Sequence, residues 1–348
     1  MHERLRAAAL VAFLSCAALA RAEQHVTSGP ELDYQPSVIQ STDDDARIVV
    51  FERLDSNTLI GDLWLTRSTD GGASWTDPVA IIATAANERH PALVQTGPAQ
   101  YELFYLKGTG AITNYRIFRA TSSDGIAFAE QNQVDLGWAT GGEINPHVIR
   151  HDDGTLTMSY QRYNAGTAAY DCFVAESADG GLTWDSLQTM IAPGAQLPRI
   201  TYRESDGLYL AAYQVGNTGL HIYTKTTTNV RDWSAERVNF AVVGDNHDSL
   251  PVVMPDGAFV AFFIRATGGT YDIAFRRSTD GANWSPIVPV TQTLTVDDVE
   301  PHPLLVGSPD YVELYWGRDE PAGSFTDDIV REPIVPVNEI IFADGFDG

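Results

Sequence analysis

The sequence predicts an all-β protein, a six-bladed β-propeller of four-stranded antiparallel blades, and three repeated features predict it. A Ser-x-Asp-Gly turn followed by an aromatic residue occurs as STDGGASW, SSDGIAF, SADGGLTW and STDGANW, with Asp70, Asp124, Asp179 and Asp280 at the aspartate position. A degenerate copy, TTNVRDW, has Asn229 there. A proline leading into an apolar strand recurs at Pro36, Pro91, Pro146, Pro198, Pro251 and Pro303, in steps of 52 to 55 residues. Between proline and turn lies an alternating apolar strand: RIVVFER, YELFYLK, LTMSYQR, LYLAAYQ, FVAFFIR and YVELYWGR. Asp-Gly with Ser and Thr is hairpin chemistry, so each turn joins two antiparallel strands. A β unit of about 50 residues cannot bury both of its faces, and stacking such units around an axis solves this while leaving short edges.

Taken in order, residues 1–22 read as a signal peptide. Arg4 and Arg6 precede the apolar run Ala7 to Leu19, and Ala20-Arg21-Ala22 forms a small-residue cleavage site. Cleavage after Ala22 makes the protein secreted or periplasmic. It also removes Cys16 and leaves Cys172, on the apolar strand DCFVAE, as a packing residue with no disulfide partner. Residues 23–335 form the propeller. Trp75, Trp184, Trp233 and Trp284 are the aromatic residues that follow the turns and belong to its structure. The sixth copy has no turn after Trp316, so the segment near Val26 to Asp33 is expected to supply the strand that closes the ring. Residues 336–348 are read as a C-terminal strand and tail.

The balance of 22 basic against 46 acidic residues, a net charge of -24, excludes nucleic acid and anionic membranes as partners, because nothing would offset the repulsion. A monomer without cofactor is expected. The acidic runs Thr42 to Arg47 and Asp297 to Glu300 are where calcium could bind, but such runs are more often solvated loops. His90, His247 and His302 lie on different blades without metal-ligand spacing, so no metal site is expected.

The turns resemble the Asp-boxes, or bacterial neuraminidase repeats, of the sialidase superfamily, and the resemblance covers nearly all of residues 23–335. It implies the sialidase-type propeller and a carbohydrate-active role. It also implies that Asp70, Asp124, Asp179 and Asp280 are structural and lie on the face opposite the active site. The first arginine of the sialidase carboxylate-binding triad sits in a Phe-Arg-Ile-Pro segment, where this chain reads DYQPSV; Arg89, in ERHPALV, fits that segment one blade later. The reading is therefore a glycoside hydrolase acting on an acidic or other glycan rather than a true sialidase. The alternative is a non-catalytic propeller binding a glycan or a protein.

Three residues before each landmark proline stand Asp33, Glu88, Glu143, Ala195, Asp248 and Glu300, and at the ends of the second strands stand Arg53, Lys107, Arg162, Val215, Arg265 and Arg318. Blade 4 lacks both members together, which suggests that the two positions touch. One ion pair per blade is one reading. The other is that members of these rings converge on a ligand, with Glu143, Asp248 and Glu300 as catalytic carboxylates and Tyr315 as a further candidate. Arg89, His90, Asn145, Arg162, Tyr213, His247, Arg265, His302 and Arg318 are the candidate substrate-binding residues. The pocket is expected beside blade 4. Acids locked to their own blade's base would favour a binding module, and an unpaired carboxylate pair about 5 to 9 Å apart would favour hydrolysis.

Overall fold

The computed structural model describes residues 23–216, 219–323 and 327–338; the expected signal peptide, residues 1–22, and residues 339–348 of the expected tail lie outside them. Strand β1 is Gln24–His25. Blade 1 is β2 (Leu32–Gln40), β3 (Arg47–Leu54), β4 (Gly61–Ser68) and β5 (Val79–Ile82), and blade 2 is β6 (Asn87–Gly97), β7 (Gln100–Gly108), β8 (Arg116–Ser122) and β9 (Ala129–Gln133). Blade 3 is β10 (Glu143–Arg150), β11 (Leu156–Asn164), β12 (Ala169–Ser177) and β13 (Thr189–Ala192). Blade 4 is β14 (Gln196–Arg203), β15 (Leu208–Val215), β16 (His221–Thr227) and β17 (Val238–Ala241). Blade 5 is β18 (Asn246–Val253), β19 (Phe259–Thr267), β20 (Thr270–Ser278) and β21 (Val288–Pro289). Blade 6 is β22 (Asp297–Leu304), β23 (Tyr311–Asp319) and β24 (Asp327–Pro336), completed by β1 on its outer edge.

The sequence repeat is thus a four-stranded antiparallel blade, six times over. The ring closes because blade 6 has no fourth strand of its own. Gln24 pairs with Arg331 and His25 with Val330, and the N–H groups of Val26 and Thr27 both donate to the Ile329 carbonyl. The closing strand therefore lies just before the expected segment. Part of that segment, Leu32 and Asp33, instead begins the innermost strand of blade 1. Closure pairs every long strand of blade 6 and leaves only short outer edges.

The apolar core lies between the blades. Six clusters of buried side chains each join two neighbouring blades, including the first and the last. The turn tryptophans are part of these contacts. Trp184 packs edge-on against Phe104 of blade 2 at 5.5 Å, Trp284 against Phe240 of blade 4 at 4.7 Å, and Trp75 against Tyr315 of blade 6 at 6.1 Å. Trp233 is buried in the blade 3–blade 4 cluster with its indole N–H on the Val230 carbonyl.

The aspartate turns join the third strand of each blade to the fourth, as expected. In blade 3, Ser177 Oγ donates to Asp179 Oδ1 at 2.8 Å and accepts from the Gly181 amide at 2.9 Å, while Asp179 accepts from the Thr183 amide and hydroxyl. Gly181 has φ +90°, and a Cβ there would lie 2.6 Å from the Phe104 ring, so conformation and packing both require glycine. Asp70, Asp124 and Asp280 repeat the serine bond and the amide bonds. The first strands begin at the opposite end of the molecule from these turns.

Candidate active site

Every innermost strand carries a bulge near its start, and this feature builds the axial channel. Register is interrupted there in all six blades, and one residue in each takes positive φ: Gln35, His90, Asn145, Leu197, Asp248 and Glu300. Such backbone is costly for non-glycine residues, so six occurrences at one position are a built feature. The residue that follows is Pro36, Pro91, Pro146, Pro198, Ser249 and Pro301. Proline has no N–H for the ladder, and the bulge removes the need for one.

This register corrects the acid ring in two blades. The landmark prolines Pro251 and Pro303 stand two residues beyond the bulge proline, whose true equivalents are Ser249 and Pro301. The ladder places Asp33 opposite Arg53, Glu88 opposite Lys107 and Glu143 opposite Arg162, but Asn246 opposite Arg265 and Asp298 opposite Arg318. Asp248 and Glu300 are therefore not ring acids. They occupy the bulge position, at the channel.

The true ring is ion-paired architecture. Asp33 accepts from Arg53 through both oxygens at 2.6 and 2.9 Å, Lys107 lies 3.4 Å from Glu88, and Arg318 donates to Asp298 at 2.7 Å. Glu143 is held by Arg162 at 3.2 Å and also by Arg116, so this catalytic candidate is a tied acid beneath the rim. Ala195 and Val215 meet in one apolar cluster, which explains their joint departure from the charged pattern. In blade 5 Asn246 gives its amide to the Ala241 and Val243 carbonyls, and Arg265 has no ion-pair partner among the described residues.

Other candidates are also fixed by structure. Arg89 donates to Glu52 of blade 1 at 2.6 and 3.1 Å, and the His90 amide joins it at 2.9 Å. Arg162 lies 4.0 Å over the Trp138 ring, and Arg318 also meets Glu23. Tyr213 is buried in the blade 3–blade 4 core beside Tyr223, away from the channel. Tyr315 lies between blades 6 and 1, where its hydroxyl meets Glu313 at 2.8 Å and Arg331 at 3.3 Å. Both tyrosines lie near strand ends in sequence, but the strand alternation points them between blades.

Asp248 and Glu300 have no such blade partner. They share a mouth cavity of about 260 Å³ with Tyr34, Leu197, His247 and Tyr271, and they continue into an axial cavity of about 250 Å³ lined by Gln35, His90, His147, Arg199 and His302. Gln35 Nε2 donates to Glu300 Oε1 at 2.8 Å, while Glu300 Oε2 is buried with no hydrogen-bond partner among the described residues. Burial in the channel, then the negative charges of Asp248 and Glu52, push the Glu300 carboxyl well above its ordinary value; Gln35 and Arg89 offset this only in part. The Asp248 amide donates to Gln214 Oε1 at 3.0 Å, and Arg199 Nη2 lies 3.6 Å from Asp248 Oδ1.

The remaining candidates surround this pair. His247 stands edge-on to Tyr271 at 5.3 Å with Nε2 3.2 Å from Asp245. Burial pushes His302 down to about 4 and His90 to about 3, so both rings are neutral near pH 7. Asn145 lies across the mouth, in a cavity of about 420 Å³ with Arg89, His90, Tyr115 and Gln161. Leu197 and Gln196 of blade 4 stand in the two mouth cavities, so the expected location beside blade 4 lies between them. Sequence reasoning missed Gln35 and Arg199. Both were legible as neighbours of landmark prolines, Gln35 one residue before Pro36 and Arg199 one after Pro198.

No protein-family model and no curated protein matches this chain. Solved structures do match. An α-L-arabinofuranosidase of Fusarium graminearum in complex with an iminosugar inhibitor has a TM-score of 0.70 at 13% identity, covering 91% of this chain and 98% of its own. A Penicillium chrysogenum α-L-arabinanase complexed with arabinobiose has a TM-score of 0.64 at 11% identity, covering 89% and 96%. Trypanosoma rangeli sialidase in complex with the inhibitor DANA has a TM-score of 0.67 at 10% identity over 86% of this chain, which spans about half (54%) of the sialidase's length. The chain thus has the six-bladed propeller fold found in this sialidase, this arabinofuranosidase and this arabinanase.

Proposed function

We propose that the protein is a glycoside hydrolase whose reacting carboxyls are Asp248 and Glu300, acting on a glycan unit bound at the channel mouth. The observation that carries this reading is the setting of Glu300: one oxygen on Gln35, the other without a hydrogen-bond partner among the described residues, and the carboxyl pushed well above its ordinary value by burial and the neighbouring Asp248. A carboxyl of raised proton affinity beside a second carboxyl is the arrangement that acid-catalysed glycosidic cleavage needs. Glu300 serves as general acid and gives its proton to the leaving oxygen. Asp248, with Arg199 behind it, serves the anomeric carbon as nucleophile or as base for water. Tyr34, His247 and Tyr271 supply the aromatic and hydrogen-bonding walls. The names of the sialidase, the arabinofuranosidase and the arabinanase that share the fold, each a glycosidase, agree with this reading.

The reading includes export through residues 1–22 and action as a monomer on a glycan. No helix among the described residues is long and apolar enough to cross a membrane. The test is hydrolysis of a panel of chromogenic glycosides, including arabinofuranosides, uronides and a sialoside, by protein beginning at Glu23. Turnover lost in Glu300→Gln and Asp248→Asn, with the melting temperature kept, supports the assignment. Absence of turnover on every glycoside returns the protein to the class of binding propellers.

A further inference from the structure

Below the carboxyl pair, the channel presents hydrogen-bond donors with too few acceptors. Arg199 projects from the strand residue after the Pro198 bulge and lies amid His90, His147 and His302. Its Nη2 reaches toward Asp248 at a long 3.6 Å, and its Nη1 is buried without a partner among the described residues. His147 Nδ1 accepts the Ile200 amide at 3.3 Å, which leaves its proton on Nε2. His90 Nδ1 is buried without a partner among the described residues. A guanidinium in this position disfavours a cation, and no group of three metal-ligating side chains occurs among the described residues. Unpaired buried donors around a fixed positive charge call for an acceptor that is small and negative.

We infer that the axial cavity is an anion site, in which a halide or a small oxyanion accepts from Arg199 Nη1 and from the Nε2–H of His147. Asp248 and Glu300 also line this cavity; the nitrogen offered to the anion is Nη1, while Nη2 is the one that lies 3.6 Å from Asp248. The cavity volume of about 250 Å³ takes an ion of this size. This inference does not depend on the hydrolase reading, since it concerns the channel beneath the carboxyls rather than their reaction.

The experiment is a bromide soak of crystals of the protein, read by anomalous scattering, together with melting in sodium bromide against sodium gluconate at equal ionic strength. The expected result is a bromide peak within hydrogen-bond distance of Arg199 Nη1, and a melting temperature higher by a few degrees in bromide. Arg199→Gln and His147→Leu, two variants in case one fails to fold, should each lose that difference. A channel occupied by water, bromide found only at the surface as an adventitious ion, or a bromide effect unchanged in a folded variant would overturn the inference.

Discussion

Glu300 of blade 6 accepts a hydrogen bond from Gln35 of blade 1 at 2.8 Å, across the junction where the ring closes. Gln35 can stabilise the charged carboxylate through one N–H but brings no charge, so burial beside Asp248 still dominates and the Glu300 carboxyl stays well above its ordinary value. Both residues stand at the positive-φ bulge of their strands, so closure by β1 and the geometry of the carboxyl pair are linked.

An acid whose folded value is raised binds its proton more tightly in the native state, so its contribution to stability falls as pH rises above about 4.3, the unfolded glutamate value. Glu300→Gln should therefore melt higher than the parent at pH 8 and about equally at pH 4. The same substitution should lower kcat by about 10²- to 10⁴-fold. Thermal melts and kinetics on one preparation check both halves.

Asp327 gives a second case of the same sign. Burial, then Asp319 and Asp297, push it up to about 8, and both of its oxygens lack a hydrogen-bond partner among the described residues. Asp327→Asn should raise the melting temperature at pH 8 and leave it unchanged near pH 3. A pH series of melts on both proteins measures this.

The turn aspartates have the opposite sign. Hydrogen bonds from Thr183 hold Asp179 below its ordinary value, and those from the Ala127 and Ile126 amides do the same for Asp124. Their stabilisation is present above about pH 3.9 and is lost as pH falls through the lowered folded values. Asp179→Asn should flatten the fall in melting temperature between about pH 4 and pH 2.

The ring pairs matter through their burial. Asp33 is 1% exposed and bonded twice by Arg53. Arg53→Met should destabilise by about 3–5 kcal/mol, because it strands a buried charge. Trp184→Ala should cost about 3–5 kcal/mol through the space it opens against Phe104. Denaturant titrations check both values, and neither change should alter turnover beyond its effect on folding.

The blades were legible because their signals are local: Ser-x-Asp-Gly specifies its own turn, and strand alternation specifies its own faces. Closure was legible in outline, since a sixth copy without its turn needs a strand from elsewhere. The ring acids of blades 5 and 6 were misplaced because proline served as the landmark, although what the bulge requires is positive φ ahead of a residue freed from the ladder. Ser249 meets that need without being proline, and blade 6 offers both Pro301 and Pro303. Spacing held the correction. Asp33, Glu88, Glu143 and Asp298 each precede their base by nineteen or twenty residues, whereas Asp248 and Glu300 precede theirs by fewer. Which acid lacks a partner depends on register between strands, and that is not a local property.

The most direct test of the central claim, that Glu300 is the general acid and the ring acids are architecture, compares two leaving groups. Take whichever sugar the wild type cleaves, and measure kcat for its unactivated glycoside and for its dinitrophenyl glycoside in Glu300→Gln and Glu143→Gln. The expected result is a loss of about 10²-fold or more for Glu300→Gln on the unactivated substrate, a far smaller loss on the dinitrophenyl glycoside, which needs no proton, and no such split for Glu143→Gln. Equal losses on both substrates in Glu300→Gln, or the same split in Glu143→Gln, would contradict it.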